Sequence, residues 1–288
     1  MLHRRTLTAI LAWLAWTAPA MAQDVVARGE YLVRAGGCVS CHTTPGATAF
    51  AGGRPLATPF GTFYSPNITP DSDTGIGRWT DAQFLRALRE GVRPDGAYYF
   101  PVFPYTSFTN INDADGLAIK AYLFSLPPVR QPNREHSVWF PFSWRFLQLG
   151  WRTLYFARGP LRADPLHDAT YNRGAYLVTA LAHCGECHTP RGMLGAVEHS
   201  MMLAGTADGP DGQPVPNITP DSRTGIGDWD SDDIARLLKT GRTPLETNVK
   251  GAMREAVQDG LKFLTDADLQ AIANFLLAQK PIPHKIGG

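Results

Sequence analysis

Most of this chain is one passage written twice, and each copy carries a CxxCH: Cys38, Cys41 and His42 in the first, Cys184, Cys187 and His188 in the second. Arg28-Gly29-Glu30-Tyr31-Leu32-Val33 returns as Arg173-Gly174-Ala175-Tyr176-Leu177-Val178. PNITPDSDTGIGRW at 66–79 returns as PNITPDSRTGIGDW at 216–229. Asp113-Ala114-Asp115, ahead of Leu117, Ile119, Tyr122 and Leu123, returns as Asp266-Ala267-Asp268 ahead of Leu269, Ile272, Phe275 and Leu276. A duplication this extensive restricts the fold to two copies of one small domain, each built around its own CxxCH.

CxxCH has a specific chemistry. Two thiols bond the vinyl groups of a macrocycle, and the His that follows takes one axial position on its iron. A zinc knuckle, a redox dithiol and a disulfide are the alternatives. The stretch from 41 to 184 is far longer than the spacer of a zinc ribbon. A redox dithiol needs no His directly after its second Cys, and here both have one. The two motifs use all four cysteines of the chain. The expectation is two covalently attached c-type haems, on Cys38 and Cys41 and on Cys184 and Cys187, with His42 and His188 as axial ligands.

Each copy has the same coarse plan. A helix with apolar spacing (Tyr31, Leu32, Ala35; Tyr176, Leu177, Ala180) leads into the CxxCH, and a Gly/Pro-rich stretch follows. A middle helix starts near Thr80 with Gln83 three residues on, and near Asp230 with Asp233 in the same place, the capping-box spacing. Gly91 and Gly241 are its stops. A last helix starts at Asn112 or Thr265. Strand signals are weak, so the expected fold is all-α: two tandem class I cytochrome c-like domains joined by an aromatic-rich linker. The expected boundaries are a signal peptide at 1–22, a first domain at 23–126, a linker at 127–170 and a second domain at 171–288. In the repeated NITP loop, Asn67 and Asn217 serve either a turn, which Asn, Pro, Asp and Gly favour, or a haem propionate as hydrogen-bond donors. The linker holds SVWFPFSWRFLQLGWRTLYFARGP, whose second half suits a helix from Trp144 to Ala157 with Arg145, Gln148 and Arg152 as one polar stripe. Pro141 and the arginines argue against a membrane span; packing between the halves or against a partner is expected.

A basic start (His3, Arg4, Arg5), an apolar run from Leu7 to Trp16 and Ala20-Met21-Ala22 form a secretory leader with cleavage after Ala22, which directs the chain to the periplasm, with inner-membrane association left open. Losing Arg4 and Arg5 takes 27 basic against 26 acidic residues to 25 against 26. A nearly neutral chain without a basic face excludes a nucleic-acid partner.

The copies differ where a class I cytochrome c presents a Met sulfur to iron. Met253 lies there in the second copy, 65 residues after His188, and is the expected sixth ligand; Met193, Met201, Met202 and His199 lie close after the CxxCH, on the wrong side. Its alternative is a place in the core. Between His42 and Met193 there is no Met, and the comparable position, 61 residues after His42, is Phe103. The first iron is then five-coordinate or takes His136, Tyr105, Tyr98 or His167.

RGEYLVRAGGCVSCHTTPG, FYSPNITPDSDTGIG, YFPVFPYTSFTNINDADGLAIKAYLFSLPPV, WFPFSWR and RGAYLVTALAHCGECHTPRGMLG together resemble the cytochrome c subunits of bacterial membrane-associated dehydrogenases for alcohols, gluconate and fructose. The resemblance implies haem at both CxxCH motifs and Met253 as axial ligand. Many members carry a third CxxCH and a C-terminal anchor, which this sequence lacks, and some have Met where Phe103 stands. It also implies an electron carrier rather than an enzyme. The donor is a dehydrogenase subunit of quinoprotein, flavoprotein or molybdenum type; the acceptor is a cytochrome, an oxidase or a quinone. The competing functions are a haem enzyme, peroxidase-like or oxidising a small anion at the Met-less haem, and a haem sensor. A peroxidase wants a distal acid/base group, and the residues around Phe103 are aromatic residues and prolines.

Overall fold

The computed structural model describes residues 23–286. The leader expected at 1–22 lies outside the described residues. The protein is mostly helical, and the two halves repeat one set of elements. α1 spans 23–35, α2 is Cys38–Cys41, α3 Asp81–Glu90, α4 Tyr105–Phe108 and α5 Asp113–Ser125. After α6 (Leu147–Tyr155) the second half has α7 (Ala169–Tyr176), α8 (Gly185–His188), α9 (Ser231–Thr240), α10 (Gly251–Asp259) and α11 (Asp266–Leu277).

Helix ends fall where the caps lie in the sequence. Thr80 and Asp230 each accept from the backbone N–H three residues on, with Gln83 and Asp233 reciprocating, so both capping boxes form. Gly91 and Gly241 close α3 and α9 in the left-handed conformation, at φ 61° and 77°. The first and last helices of each half cross at a glycine. A Cβ at Gly29 would stand 1.9 Å from the Ala118 carbonyl oxygen, and one at Gly174 2.0 Å from that of Ala271. These crossings bury Leu32, Val33, Ile119 and Leu123 in one half and Leu177, Val178, Leu269 and Ile272 in the other.

Three findings depart from the sequence expectations. First, the fold is not purely helical. β1 (Pro55–Thr58), β2 (Gly61–Tyr64) and β3 (Ser137–Val138) form a small antiparallel sheet in the order β1-β2-β3, with Leu56 opposite Phe63 and Thr62 opposite Ser137. Strands of four residues or fewer leave almost no alternation to read.

Second, the first unit does not end at 126. Asn67 Nδ2 donates to the Val129 carbonyl at 2.7 Å, the Gln131 N–H donates to Thr74 Oγ1 at 3.0 Å, and β3 extends the hairpin. Residues 129–138 are thus part of the first half. The second half repeats the device with Asn217 Nδ2 on the Ile282 carbonyl at 2.8 Å and the His284 N–H on Thr224 Oγ1 at 3.0 Å.

Third, α6 is shorter than expected and turns its polar stripe inward. Gln148 and Arg152 are buried, while Leu149 is 57% and Leu154 71% exposed. Arg152 reaches its buried position by bonding the Glu90 carbonyl and stacking over Phe156 at 4.5 Å and Tyr98 at 4.7 Å. Trp151 Nε1 donates to the Leu194 carbonyl at 2.9 Å, so α6 touches both halves. Among the described residues no helix is long and apolar enough to cross a membrane.

The halves also hold each other directly, by an exchange of tyrosines. Tyr31 of α1 donates to Asp268 of α11 at 2.5 Å, and Tyr176 of α7 donates to Asp115 of α5 at 2.7 Å. Each carboxylate is also held by an arginine of its own half: Nε of Arg173 lies 2.8 Å from Asp268, and Nε of Arg28 2.8 Å from Asp115. A buried carboxylate needs such partners.

Candidate functional site

Both CxxCH motifs fold as one helical turn directly after the first helix of their half. The residue before the first cysteine is left-handed in each: Gly37 at φ 60° and His183 at φ 39°. Glycine takes this conformation freely. His183 takes it with its residue half-buried and its ring 5.4 Å from Phe108 of the other half, so interface packing holds a backbone conformation that its side chain disfavours.

The histidines of the two motifs have the same geometry. His42 Nδ1 lies 2.8 Å from the Pro66 carbonyl oxygen, and His188 Nδ1 2.8 Å from that of Pro216. A carbonyl oxygen only accepts, so each Nδ1 carries the proton and each Nε2 keeps its lone pair for a metal. Burial pushes both imidazoles below the ordinary histidine pKa, which keeps the ring neutral. No two of the four cysteines form a disulfide. Burial pushes Cys38 and Cys184 up to about 12 and Cys187 to about 11.

Among the described residues no three His, Cys, Asp or Glu side chains come together as a metal-ion site, so the two CxxC pairs do not converge on one zinc ion. A cavity of about 2350 Å³ opens beside the first motif. That exceeds the few hundred to about 1000 Å³ of a drug-sized ligand pocket. Its walls carry Cys38, Cys41 and His42, the apolar side chains of Ile76, Trp79, Phe84 and Leu123, and the aromatic run Tyr99–Phe103. Paired thiols, an oriented imidazole and a broad apolar cavity fit a c-type haem.

The cavity extends across the junction to Glu186 and Cys187 of the second motif and to Ala252 and Glu255 of α10. There each CxxCH turn meets the other half. Ser40 Oγ donates to Asp259 at 3.2 Å, and Arg54, which lies 2.7 Å from the Ser40 carbonyl, pairs with Glu255 at 2.8 Å. In return Glu186 accepts from Ser107 at 2.6 Å and Thr106 at 3.0 Å of α4. Burial acts to raise the Glu186 carboxyl, but Arg191 beside it and the Ser107 hydroxyl bring it below its ordinary value.

Met253 lies on α10 one helical turn before Val257, which is fully buried in the core of the second half. Ala252 and Glu255 face the other way, toward the first motif. The competing groups lie elsewhere: Met193 is 96% exposed, His199 is exposed, and Met202 Sδ accepts from Thr189 Oγ1 at 3.3 Å. Met201 lines the junction of the halves.

In the first half Phe103 packs against Phe108 and Tyr99, at 5.7 and 5.4 Å. Of the four groups expected as its substitutes, Tyr105 is fully buried against Phe156 and Tyr98 lies under Arg152; neither lines the cavity. His167 stacks on Tyr171, away from it. His136 does line the cavity, but its Nδ1 accepts the Tyr64 N–H at 3.2 Å. A backbone N–H only donates, so Nε2 of His136 carries the proton and has no lone pair for iron.

Asn67 and Asn217 are turn residues, not propionate donors. Asn67 Nδ2 donates to Val129 O and Thr74 Oγ1, and its Oδ1 accepts from the N–H and hydroxyl of Thr69 at 2.9 and 2.8 Å. Asn217 repeats this with Ile282, Thr224 and Thr219. Their hydrogen-bonding capacity is spent inside the fold. The sequence reading named His136 only as a candidate iron ligand and Arg145 only as part of the linker's polar stripe; that both line the cavity wall was missed, because nothing local marks a linker that folds back over the site.

Residues 171–280 match the family model Cytochrome c. The chain is 43% identical over 86% of its length to "Diheme cytochrome c-type" of Cereibacter sphaeroides, covering 84% of that protein. It is 42% identical over 97% of its length to a nicotinate dehydrogenase subunit from Pseudomonas putida, and 41% identical over 90% to "Fructose dehydrogenase cytochrome subunit" of Gluconobacter japonicus. It spans 24% of the former relative and 53% of the latter.

Proposed function

Because the chain belongs to the dihaem c-type cytochromes related to the cytochrome c subunits of bacterial dehydrogenases, we propose that it is a periplasmic two-haem electron carrier, taking electrons from a partner dehydrogenase and passing them to a respiratory acceptor. Each half is a cytochrome c domain. Bound haem supplies the one-electron Fe(III)/Fe(II) couple, so two centres split a two-electron substrate oxidation into single steps. The observation that carries this is the pair of imidazoles, each donating through Nδ1 to a proline carbonyl 2.8 Å away behind a pair of thiols.

The chain's own groups have distinct tasks. Cys38, Cys41, Cys184 and Cys187 anchor the cofactors, and His42 and His188 present Nε2 to them. Met253 completes the second site, which raises its potential. No candidate in the first half offers a sixth ligand, so its sixth position is bounded by Phe103 and the neighbouring aromatic residues. The side chains packed on Phe103 are aromatic, and the imidazole of His136 on the cavity wall has its Nδ1 held by the Tyr64 N–H, an arrangement that suits a relay better than peroxide chemistry. The meeting of both CxxCH turns at the junction suits transfer between the centres. A fixed partner is supported by α6 and the segment before it, where Trp139, Phe140, Phe146, Leu149 and Leu154 are more than half exposed. A monomeric soluble protein seldom leaves such a patch uncovered; we assign it to the dehydrogenase, with the membrane surface as the competing occupant.

Haem counting on protein matured in a periplasm, with low-temperature EPR of the oxidised form, tests this. Two haems per chain are expected, one low-spin and unmoved by cyanide and one that shifts when cyanide is added. Fewer than two haems, or substantial peroxidase turnover without a partner, would overturn it.

A further inference from the structure

One wall of the cavity beside Cys38 and Cys41 carries Arg145 with no carboxylate paired to it, next to Arg93, which is paired with Asp95. Arg93 and Tyr99 come from the loop after α3, and His136 and Arg145 from the segment after α5; all four line the cavity. Arg145 spends Nη1 on the Tyr98 carbonyl at 2.8 Å and lies over the Phe100 ring at 4.5 Å. It forms no ion pair among the described residues, and Asp95, the carboxylate near enough to act on it, is paired with Arg93 at 2.9 Å. His136 is held between Phe63 and Phe100, at 5.2 and 5.8 Å, with Nε2–H left to donate.

A half-buried guanidinium without a carboxylate is costly unless an anion completes it. Burial, then Arg145 and Arg93, push His136 down to about 4, which matches a site already rich in positive charge. A c-type haem brings two carboxylates, on the macrocycle edge opposite its thioether bonds. Resting on the reading that haem is attached at Cys38 and Cys41, we propose that Arg145, His136 and Arg93 form the propionate clamp of that haem, so that the segment between the halves completes the first cofactor site.

Among the described residues the second half does not repeat these groups at the aligned positions. Thr243 stands in the place of Arg93 and Val249 in that of Tyr99, as the matched bridges Val92–Tyr98 and Arg242–Asn248 align them. The inference also gives the inward turn of the linker a purpose. Arg145 over Phe100 and Arg152 over Tyr98 make cation–π contacts with the first half, and Arg145 then faces the cavity.

The test is Arg145→Gln in the holoprotein, with Arg93→Gln as a second variant should the first misfold. Two readouts are needed: a potentiometric EPR titration that resolves the two centres, and resonance Raman of the propionate bending modes. Charge donated to the propionates favours the reduced state. Either variant should therefore lower the potential of the cyanide-sensitive centre, leave the Met-ligated centre unmoved, and weaken one propionate hydrogen-bond mode. Unchanged potential and modes would overturn the clamp, as would a fall in potential with the modes unmoved, which would mean charge acting through space alone. A wild-type chain with no haem on Cys38 and Cys41 would instead sink the underlying reading, and haem counting separates the two failures.

Discussion

The two halves share helices, caps, glycine crossings and histidine geometry, yet they part in the segment between the middle and last helices. The second half places Met253 on a nine-residue helix, α10; the first puts Phe103 and the short α4 in the corresponding place. The second uses Thr243 and Val249 where the first has Arg93 and Tyr99, and only the first is overlaid by the segment that carries His136 and Arg145. Duplication thus preserved what attaches a cofactor and altered what tunes it. Two identical centres could not set a direction for an electron; two unlike ones can.

The largest test of this comparison removes one half's chemistry. Cys38→Ala with Cys41→Ala should lower the haem count from two to one and erase the cyanide-sensitive signal, while the Met-ligated signal stays; haem counting and EPR read both. If the other signal vanished, the assignment of the halves would be reversed.

Next comes ligation. Met253→Ala should convert the second centre to a ligand-sensitive form and lower its potential, making it resemble the first. Phe103→Met should push the first toward the second, with loss of its cyanide shift. Spectra unmoved by Met253→Ala would return that residue to the core.

A smaller effect concerns the tyrosine exchange. Burial acts to raise the Asp268 carboxyl, but hydrogen bonds from Arg173 and Tyr31 hold it below its ordinary value. Its stabilising contribution is therefore complete above the ordinary carboxylate pKa and is lost as pH falls toward the depressed one. Asp268→Asn should cost about 2 kcal/mol at neutral pH, as hydrogen bonds to a charged group do, and should flatten the acid limb of the denaturation curve. An unchanged limb would show that the pair contributes nothing to the junction.

The smallest effect compares the two capping boxes. Thr80→Ala and Asp230→Ala should each cost about 1 kcal/mol. Equal losses in chemical denaturation would confirm that the duplicated caps act alike; unequal ones would show that one half unfolds first.

Much of the fold was legible. Thr80 with Gln83, Asp230 with Asp233, Gly91 and Gly241 mark helix ends through bonds made within a few residues, and such signals survive in a linear text. The sheet was not, because strands of four and two residues carry no periodicity. The inward stripe of α6 was misleading: Arg145, Gln148 and Arg152 mark a polar face, and a polar face ordinarily means solvent.

By itself the sequence determined the two CxxCH motifs and where the helices stop, because each of these depends on residues a turn or less apart. Tertiary structure decided the rest: that Asn67 is spent on Val129, that Tyr31 reaches Asp268, and that Arg145 and His136 come to the wall of the first cavity. Those pairs are separated by 62 and 237 residues in the first two cases, and the third needs the whole segment to fold back. Contacts of that range are chosen by burial and charge once the chain has closed, and no local pattern records them.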